Sequence, residues 1–512
     1  MRTLARKTRK ARIPRGERFL NHVEKAGNKL PHPFILFIYI AVAIALASWI
    51  ASFFDASVID PETSEEVAVK SLISAEGVTY ALSSMLDNFL SFPPLGLVIV
   101  MLLGVGLANQ TGLLEIVFKA VVLRAHPRIL TFVVVLVGII SNVASESAAI
   151  VIPPLAAMLF MAVGRHPIAG LAAGFGSVGA GFSANFIIAG TDVLLAGIST
   201  SAAQIVDSTV EVSPLSNWYF MSASTLVLAV VGVIITEKVV EPRLGKYTDD
   251  DTVREEFSVD PLQKKGLRNA GIAALTFIAL FALLIVPPNA PMRGEDGGIV
   301  DSPFIQSIVP ILFLFFVVVA VVYGRTTGSI TTNGDIPKLM IESAKELSGI
   351  IVLIFAVAQS IAYFDWTNLG LLIAVGGADV LENLKVSGVV ALIAVSLAAF
   401  ALSIIISSGS ALWAVMSPVF VPMLMLHNIN PAFVQLAYRI ADSSTNMLSP
   451  LSAVFAVAIG YLQKYDKKAG PGTIFALMIP YTVGFFVVWM AMFIIWTVIG
   501  LPIGPGEQLY MN

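Results

Sequence analysis

Runs of about 20 consecutive apolar residues recur along this chain, and each is long enough to cross a bilayer as a helix. Inside hydrocarbon every backbone N–H and C=O must be satisfied by the segment itself or its neighbours, which leaves helices and closed barrels. The runs are continuous rather than alternating, and that excludes the barrel. Only 13% of the 512 residues are charged and 57% are hydrophobic, where a soluble chain carries nearer a quarter charged residues. The fold class is therefore an all-α polytopic membrane protein. The net charge of -3 says little about partners. With no cysteine there is no disulfide, thiol nucleophile or cysteine metal site.

Two stretches break the pattern. One runs from Ile140 to Asp192 and the other from Ile406 to Pro450. Each opens with a small polar cluster inside apolar sequence and continues into an apolar arm with two prolines (Pro153 and Pro154; Pro418 and Pro422). Each then reaches a second polar cluster with an asparagine (Asn185; Asn446). Non-helical backbone is tolerated at membrane depth only where protein buries it or where it lines a wet cavity. Paired interruptions in corresponding positions of two halves point to a transporter's binding site, and an odd number of elements per half inverts one repeat relative to the other. We expect re-entrant helical hairpins over about 143–163 and 407–426.

In chain order, residues 1–33 form a basic segment, read as a cytoplasmic anchor that can also meet anionic lipid. Without an interleaved aromatic platform it is not a nucleic-acid site. The first membrane half spans 34–236, with spans at 34–54, 95–109, 129–141 and 217–236, a surface helix at 75–91 and a glycine-rich broken helix at 168–200. A charged linker, 237–268, separates the halves; its basic residues, including Lys246 and Arg254 around Asp249 to Asp251, favour the cytoplasm. The second half covers 269–500, with spans at 269–287, 305–323, 387–405 and 474–499. It also holds an amphipathic helix around Lys338 to Glu346 and apolar stretches at 348–363 and 368–380. Residues 501–512 are a tail. The acidic loop after the first span (Asp55, Asp60, Glu62, Glu65, Glu66) places that loop outside and the N-terminus inside.

Ionisable residues within membrane segments are functional candidates by default. Asp192 in AGTDVLL is read as a cation, proton or substrate site, or as a carboxylate capping a half-helix. Arg439 and Asp442 lie three apart on one helical face, so the bland reading is an internal ion pair. The sharper one is a guanidinium gripping a substrate carboxylate in two-pronged fashion. Glu146 in the first break is a further candidate. Asn142, Ser145, Asn185, Ser407, Ser408 and Asn446 offer the neutral oxygens that suit Na⁺. Trp413 is either packing or an aromatic platform, and Pro431 after Asn430 a helix start. GFGSVG (Gly174, Gly176, Gly179) matches a dinucleotide pattern but follows no strand, so it is read as close helix packing. Walker A, zinc-ligand and G-x-S-x-G patterns are missing from the sequence, which leaves an enzyme pairing Asp192 with Asp442 as a remote alternative, beside a passive channel.

SNVASESAAIVIPPLAAMLF, GFSANFIIAGTDVLLAGIST, SSGSALWAVMSPVFVPML and NPAFVQLAYRIADSSTNMLSPL closely resemble the p-aminobenzoyl-glutamate transporter (AbgT) family, and the likeness covers nearly the whole chain. The resemblance implies about nine transmembrane helices plus two re-entrant hairpins in an inverted-repeat architecture, and a bowl-shaped homodimer in the bacterial inner membrane. It also implies cation-coupled transport of p-aminobenzoyl-glutamate or related aromatic carboxylates, with export of sulfonamide antimetabolites in some members. Another dicarboxylate is the alternative cargo. The family's implicated residues fall on Asp192, Ser410, Trp413, Pro431, Arg439, Asp442 and Pro450. No cofactor is expected; the coupling ion is Na⁺ or H⁺.

Overall fold

The computed structural model describes residues 31–59, 63–144, 147–245, 247, 258–295, 297–300, 302–449 and 453–511. Residues 1–30 of the basic segment 1–33 lie outside the described residues, as do Asp60, Glu62, Ser145, Glu146, Lys246, Asp249 to Asp251, Arg254, Asp296, Asp301 and Pro450.

Helix α1 is Pro33–Phe53, followed by a short antiparallel pair, β1 (Ser57–Ile59) and β2 (Glu66–Ala68). The expected surface helix is split at Ser84 into α2 (Ala75–Ser83) and α3 (Met85–Leu90). Then come α4 (Pro93–Gln110), α5 (Leu113–Leu123), α6 (Leu130–Ile140), α7 (Ser147–Ala162), α8 (Pro167–Ala180), α9 (Gly190–Ala203) and α10 (Trp218–Ile235). The second half holds α11 (Pro261–Leu283), α12 (Ile308–Thr327), α13 (Asp335–Trp366), α14 (Leu369–Asn383), α15 (Gly388–Ser403), α16 (Gly409–Met425), α17 (Pro431–Thr445), α18 (Ala453–Gln463) and α19 (Pro471–Ile499). Among the described residues, eight helical segments are long and apolar enough to span a membrane, alongside shorter apolar helices.

Several boundaries differ from those expected. The charged start of α11, with Lys264, Lys265 and Arg268, is already helical, so the linker ends at Pro261, a proline at N1 where its missing N–H costs nothing. The amphipathic segment near Lys338 and the apolar stretch after it form one 32-residue helix, α13. No proline or capping break interrupts it after Pro337, so the change from polar to apolar composition does not end the helix.

The larger corrections concern the two hairpins. Neither 143–163 nor 407–426 folds back on itself. Each is a single helix, α7 and α16, that keeps its prolines inside. The return arms are the helices that follow, α8 and α17. The expected broken helix at 168–200 is thus two helices, α8 and α9, interrupted between Ala180 and Gly190. At 16 and 14 residues, α7 and α8 are about 24 and 21 Å long, shorter than the hydrocarbon core. They run antiparallel: Gly170 packs on the backbone of Ala156, and Gly174 on Pro153.

The turns closing the hairpins repeat atom by atom. After α7, Arg165 N–H bonds the Phe160 carbonyl and Gly164 N–H bonds Met161, with Gly164 at φ +76°. After α16, Ile429 N–H bonds Leu424 and Asn428 N–H bonds Met425, with Asn428 at φ +61°. This is a left-handed C-terminal cap, in which glycine or asparagine sits at positive φ. Next, the His166 ring accepts from Ile168 N–H and leads to Pro167, while the Asn430 side chain accepts from Ala432 N–H and leads to Pro431. One offset of 264 residues relates Gly164 to Asn428, His166 to Asn430 and Pro167 to Pro431. It also superposes α6, α7, α8 and α9 on α15, α16, α17 and α18 in order.

The repeats are inverted. At the first turn Arg165 binds Glu241 through two bonds of 3.0 and 2.5 Å and Thr131 at 2.7 Å, beyond the C-terminal end of α10. At the second turn Asn430 and Ser216 share Glu507, at 2.7 Å each, and Asn217 bonds the Ala432 carbonyl at 3.0 Å, at the N-terminal end of α10. Helix α10 has 18 residues, about 27 Å, so the two turns sit on opposite faces of the bundle. All four helix breaks consequently fall between the faces.

A side chain at Gly174 would place its Cβ 2.6 Å from the Pro153 Cα, which cannot yield, whereas a Cβ at Gly271 on α11 meets nothing within 4 Å. Gly174→Leu should therefore lower the melting temperature sharply or prevent folding, since overpacking costs about 1–3 kcal/mol and more against backbone. Gly271→Leu should leave it unchanged. Fluorescence-detected size-exclusion thermal melts in detergent compare the two directly.

Candidate functional site

The breaks create polar backbone ends at depth, and the side chains around them satisfy one another across the repeats. Asp192 stands in the first turn of α9, where a carboxylate meets free N–H groups and the positive end of the helix dipole. Its Oδ2 accepts from Ala189 N–H at 2.6 Å and from Asn185 Nδ2 at 2.9 Å. Its Oδ1 accepts from Arg439 Nη2 at 2.5 Å. Both partners are almost fully buried, Arg439 at 1% and Asp192 at 4% exposure.

Arg439 therefore reaches across to the other repeat. The expected Arg439–Asp442 ion pair does not form. Helical spacing puts both on one face of α17, but the guanidinium extends to Asp192, the Ser183 carbonyl (3.1 Å) and Asn217 Oδ1 (3.3 Å). Its Nε–H has no partner among the described residues. Asp442 instead lies beside the start of α16: a Cβ at Gly409 would come 2.5 Å from Asp442 Oδ2, so glycine is what allows the approach. The Tyr438 hydroxyl lies beside the same carboxylate and donates to the Gly409 carbonyl.

Trp413 is fully buried. Its ring stacks on Tyr438 at 4.7 Å and 30°, and its Nε1 donates to Ser199 Oγ at 3.0 Å. Ser199 is seven residues after Asp192, on the same face of α9, so α9 is tied to α17 through Asp192 and to α16 through Ser199. Ser183 N–H donates to Ser443 Oγ at 3.1 Å, a third link between the repeats. Pro431 is the first residue of α17 and is buried. Ser410 is half-buried in the first turn of α16.

The expected ion-site residues divide. Asn142 is buried and donates to the Phe182 and Ala184 carbonyls at 2.5 and 3.2 Å, binding the first break to the second, while its Oδ1 has no partner among the described residues. Asn185 serves Asp192. Ser408 caps α16 by accepting from Ala411 N–H at 3.4 Å, and Ser407 is exposed. Asn446 is half-buried and faces an apolar pocket beside Leu171, Phe175 and Met478, apart from the Asp192–Arg439 pair. Ser199, Tyr438 and Asn217 were not singled out in the sequence; a serine seven residues from a buried aspartate, on its face, was the one available signal. Among the described residues no cluster of three or more acidic or histidine side chains could hold a divalent metal.

A buried ion pair, four helix breaks and two inverted hairpins thus meet in the middle of the bundle. The profile of the AbgT transporter family matches residues 18–511.

This chain belongs to the AbgT family.

The p-aminobenzoyl-glutamate transport protein of Escherichia coli K12 is 43% identical over 485 residues, covering 94% of this chain and 95% of its own. The solved structure of MtrF from Neisseria gonorrhoeae, described as illuminating a class of antimetabolite efflux pumps, is 42% identical with a TM-score of 0.90, over 96% of this chain and all of that one. YdaH of Alcanivorax borkumensis, a transporter described as having an unusual topology, is 36% identical with a TM-score of 0.89, over 93% and all of its chain. The AbgT protein described here is thus a multi-pass membrane transporter and not an enzyme. An acid pair of Asp192 and Asp442 is also at odds with its geometry, since both oxygens of Asp192 are engaged by Arg439, Asn185 and the Ala189 amide.

Because the Asp192–Arg439 pair is buried, Asp192→Ala and Arg439→Ala each strand an uncompensated charge. Each should destabilise the protein by about 3–5 kcal/mol. The double variant should lose clearly less than the sum, and equilibrium melts of the four proteins in one detergent measure that coupling. Additive losses would mean that the pair contributes nothing as a pair.

Proposed function

We propose that this protein is a cation-coupled secondary transporter of p-aminobenzoyl-glutamate or closely related aromatic carboxylates. The observation that carries the reading is the Arg439 guanidinium, held at depth by Asp192, Ser183 and Asn217 with its Nε–H edge unpartnered. A guanidinium fixed in this way suits a carboxylate. The Trp413–Tyr438 stack beside it supplies an aromatic wall. Both are closed off in this conformation, so hairpin α16–α17 must separate from α9 for cargo to enter, which breaks the Trp413–Ser199 bond and opens the Asp192–Arg439 contact. Pro431 and Ser410 set the start of each arm. The substrate reading is strengthened by the name of the Escherichia coli relative, and the export reading by the description of MtrF.

The coupling cation is read as Na⁺ at Asn142 Oδ1 and the neighbouring broken-helix carbonyls, since Na⁺ takes neutral oxygen ligands and broken helices expose them. The competing carrier is a proton on Asp442, which forms no ion pair among the described residues. The first hairpin turn is assigned to the cytoplasmic face of the inner membrane, because Arg124, Arg128, Lys238 and Arg243 cluster near its end of the bundle. Helices α1 and α11, whose apolar windows are only 17% and 11% buried in one chain, offer surfaces for lipid and for a second copy in a homodimer.

Flux of p-aminobenzoyl-glutamate into proteoliposomes, with Na⁺ and proton gradients imposed separately and in both directions, tests the reading. Accumulation on a Na⁺ gradient alone, lost in Asn142→Ala, is expected. Accumulation on a proton gradient alone, lost in Asp442→Asn, moves the coupling to the carboxylate. No flux under either gradient removes the substrate.

A further inference from the structure

Helix α17 carries one more polar side chain at this depth that the site above does not use. Gln435 is 2% exposed, and its Oε1 has no partner among the described residues. A buried side-chain carbonyl is nearly always hydrogen-bonded, and an exception calls for a reason. Position supplies one. Gln435, Arg439 and Asp442 stand at i, i+4 and i+7, which places them on a single face of the helix. Gln435 therefore stands one turn, about 6 Å of helix rise, from Arg439 along the same stripe, and each carries an unpartnered atom. One face thus presents an unmet donor and an unmet acceptor.

The packing of α9 locates the glutamine further. The two helices run antiparallel: Asp192 meets Arg439, and the chain after α9 returns at Asn217 beside Ala432. On α9 the contact points of Arg439 (Asp192) and of Trp413 (Ser199) are seven residues, or about 10 Å, apart. Gln435, four residues from Arg439 toward the second hairpin turn, falls between those two points in depth. A primary amide offers one acceptor and two donors, the complement of a secondary amide.

We infer that Gln435 is a specificity-determining residue whose side-chain carbonyl accepts the amide N–H of a cargo in which an amide joins an aromatic ring to a carboxylate, with Arg439 taking the carboxylate. This rests on the substrate class proposed above and names the group that reads the linkage. In p-aminobenzoyl-glutamate the amide joins the ring to the carboxylate-bearing chain, and Gln435 stands one turn from Arg439 and three residues from Tyr438, on which the Trp413 ring stacks. A site built to hydrogen-bond a donor rejects the analogue that lacks it, because the buried acceptor is then left unpaired.

The test compares binding of p-aminobenzoyl-glutamate with its ester analogue, in which oxygen replaces the amide N–H and nothing else changes. Isothermal titration on the purified full-length protein gives both affinities. Wild type should prefer the amide by roughly tenfold or more. Gln435→Leu should bind the two within about twofold of each other, with its melting temperature unchanged or raised because an unpaired polar group has gone. Gln435→Met, unbranched and of similar length, gives the same ratio should the leucine variant fail to fold. A wild type without preference, a variant that keeps the preference, or failure of both variants to fold overturns the assignment. A wild type that binds neither ligand overturns the substrate class itself, and the assignment with it.

Discussion

Everything at the centre of this protein depends on one buried ion pair, Asp192 with Arg439. Two charges at 2.5 Å and almost no exposure survive at membrane depth because further hydrogen bonds hold each of them, leaving the Arg439 Nε–H as the one unmet donor of the pair among the described residues. Asp192 sits where the first turn of a half-helix needs an acceptor, and Arg439 takes up a carbonyl exposed by a broken helix. The desolvation cost of such a pair is large, so the surrounding hydrogen bonds are part of what permits it. Asn185, the Ala189 amide, the Ser183 carbonyl and Asn217 all serve it. The pair joins the two inverted repeats at their midpoint, which makes it a seam as well as a site.

The repeat explains why such a seam exists. A four-helix unit with two breaks satisfies only part of its broken ends itself, as Asn142 does for the Phe182 and Ala184 carbonyls. Two copies facing opposite ways bring the breaks to one depth, where each can serve the other. The hairpin turns then lie on opposite faces, one fixed by Arg165 to Glu241 and one by Asn430 to Glu507. A Schellman-type cap, an N-cap side chain and a proline recur at a constant offset although the residues differ: Gly for Asn, His for Asn. Physical roles are repeated where letters are not, so the repeat shows in backbone geometry more clearly than in the sequence.

That difference accounts for what could be read in advance. Hydropathy exposes long apolar helices, and polar clusters inside them mark the breaks, because both follow from the cost of bare backbone in lipid. Asp192, Arg439 and Trp413 stood out as polar or amphipathic residues in apolar surroundings. The hairpins were misplaced because each was closed within its proline-bearing arm, whereas that arm is one helix with Pro153 and Pro154, or Pro418 and Pro422, inside it. The true turns, at Gly164 and Asn428, carry weaker signals. The partner of Arg439 was also misjudged: spacing along one helix suggests Asp442 three residues away, whereas the pairing that forms links residues 247 positions apart, which no local pattern encodes.

Charge counting links the seam to the proposed coupling. Asp192 and Arg439 neutralise each other, and Asp442 adds a carboxylate that lies beside Gly409 and Tyr438 and forms no ion pair among the described residues. An anionic cargo that draws Arg439 toward itself makes at least three negative charges, those of Asp192, Asp442 and the cargo, to one positive in a buried region. In such a medium uncompensated charge is expensive, so cargo binding is favourable only when a cation arrives with it or a proton has already neutralised a carboxylate. On the proposed reading, coupling is the electrostatic condition for the site to hold its substrate, and the Asp192–Arg439 pair is the reserve that closes again when the cargo leaves.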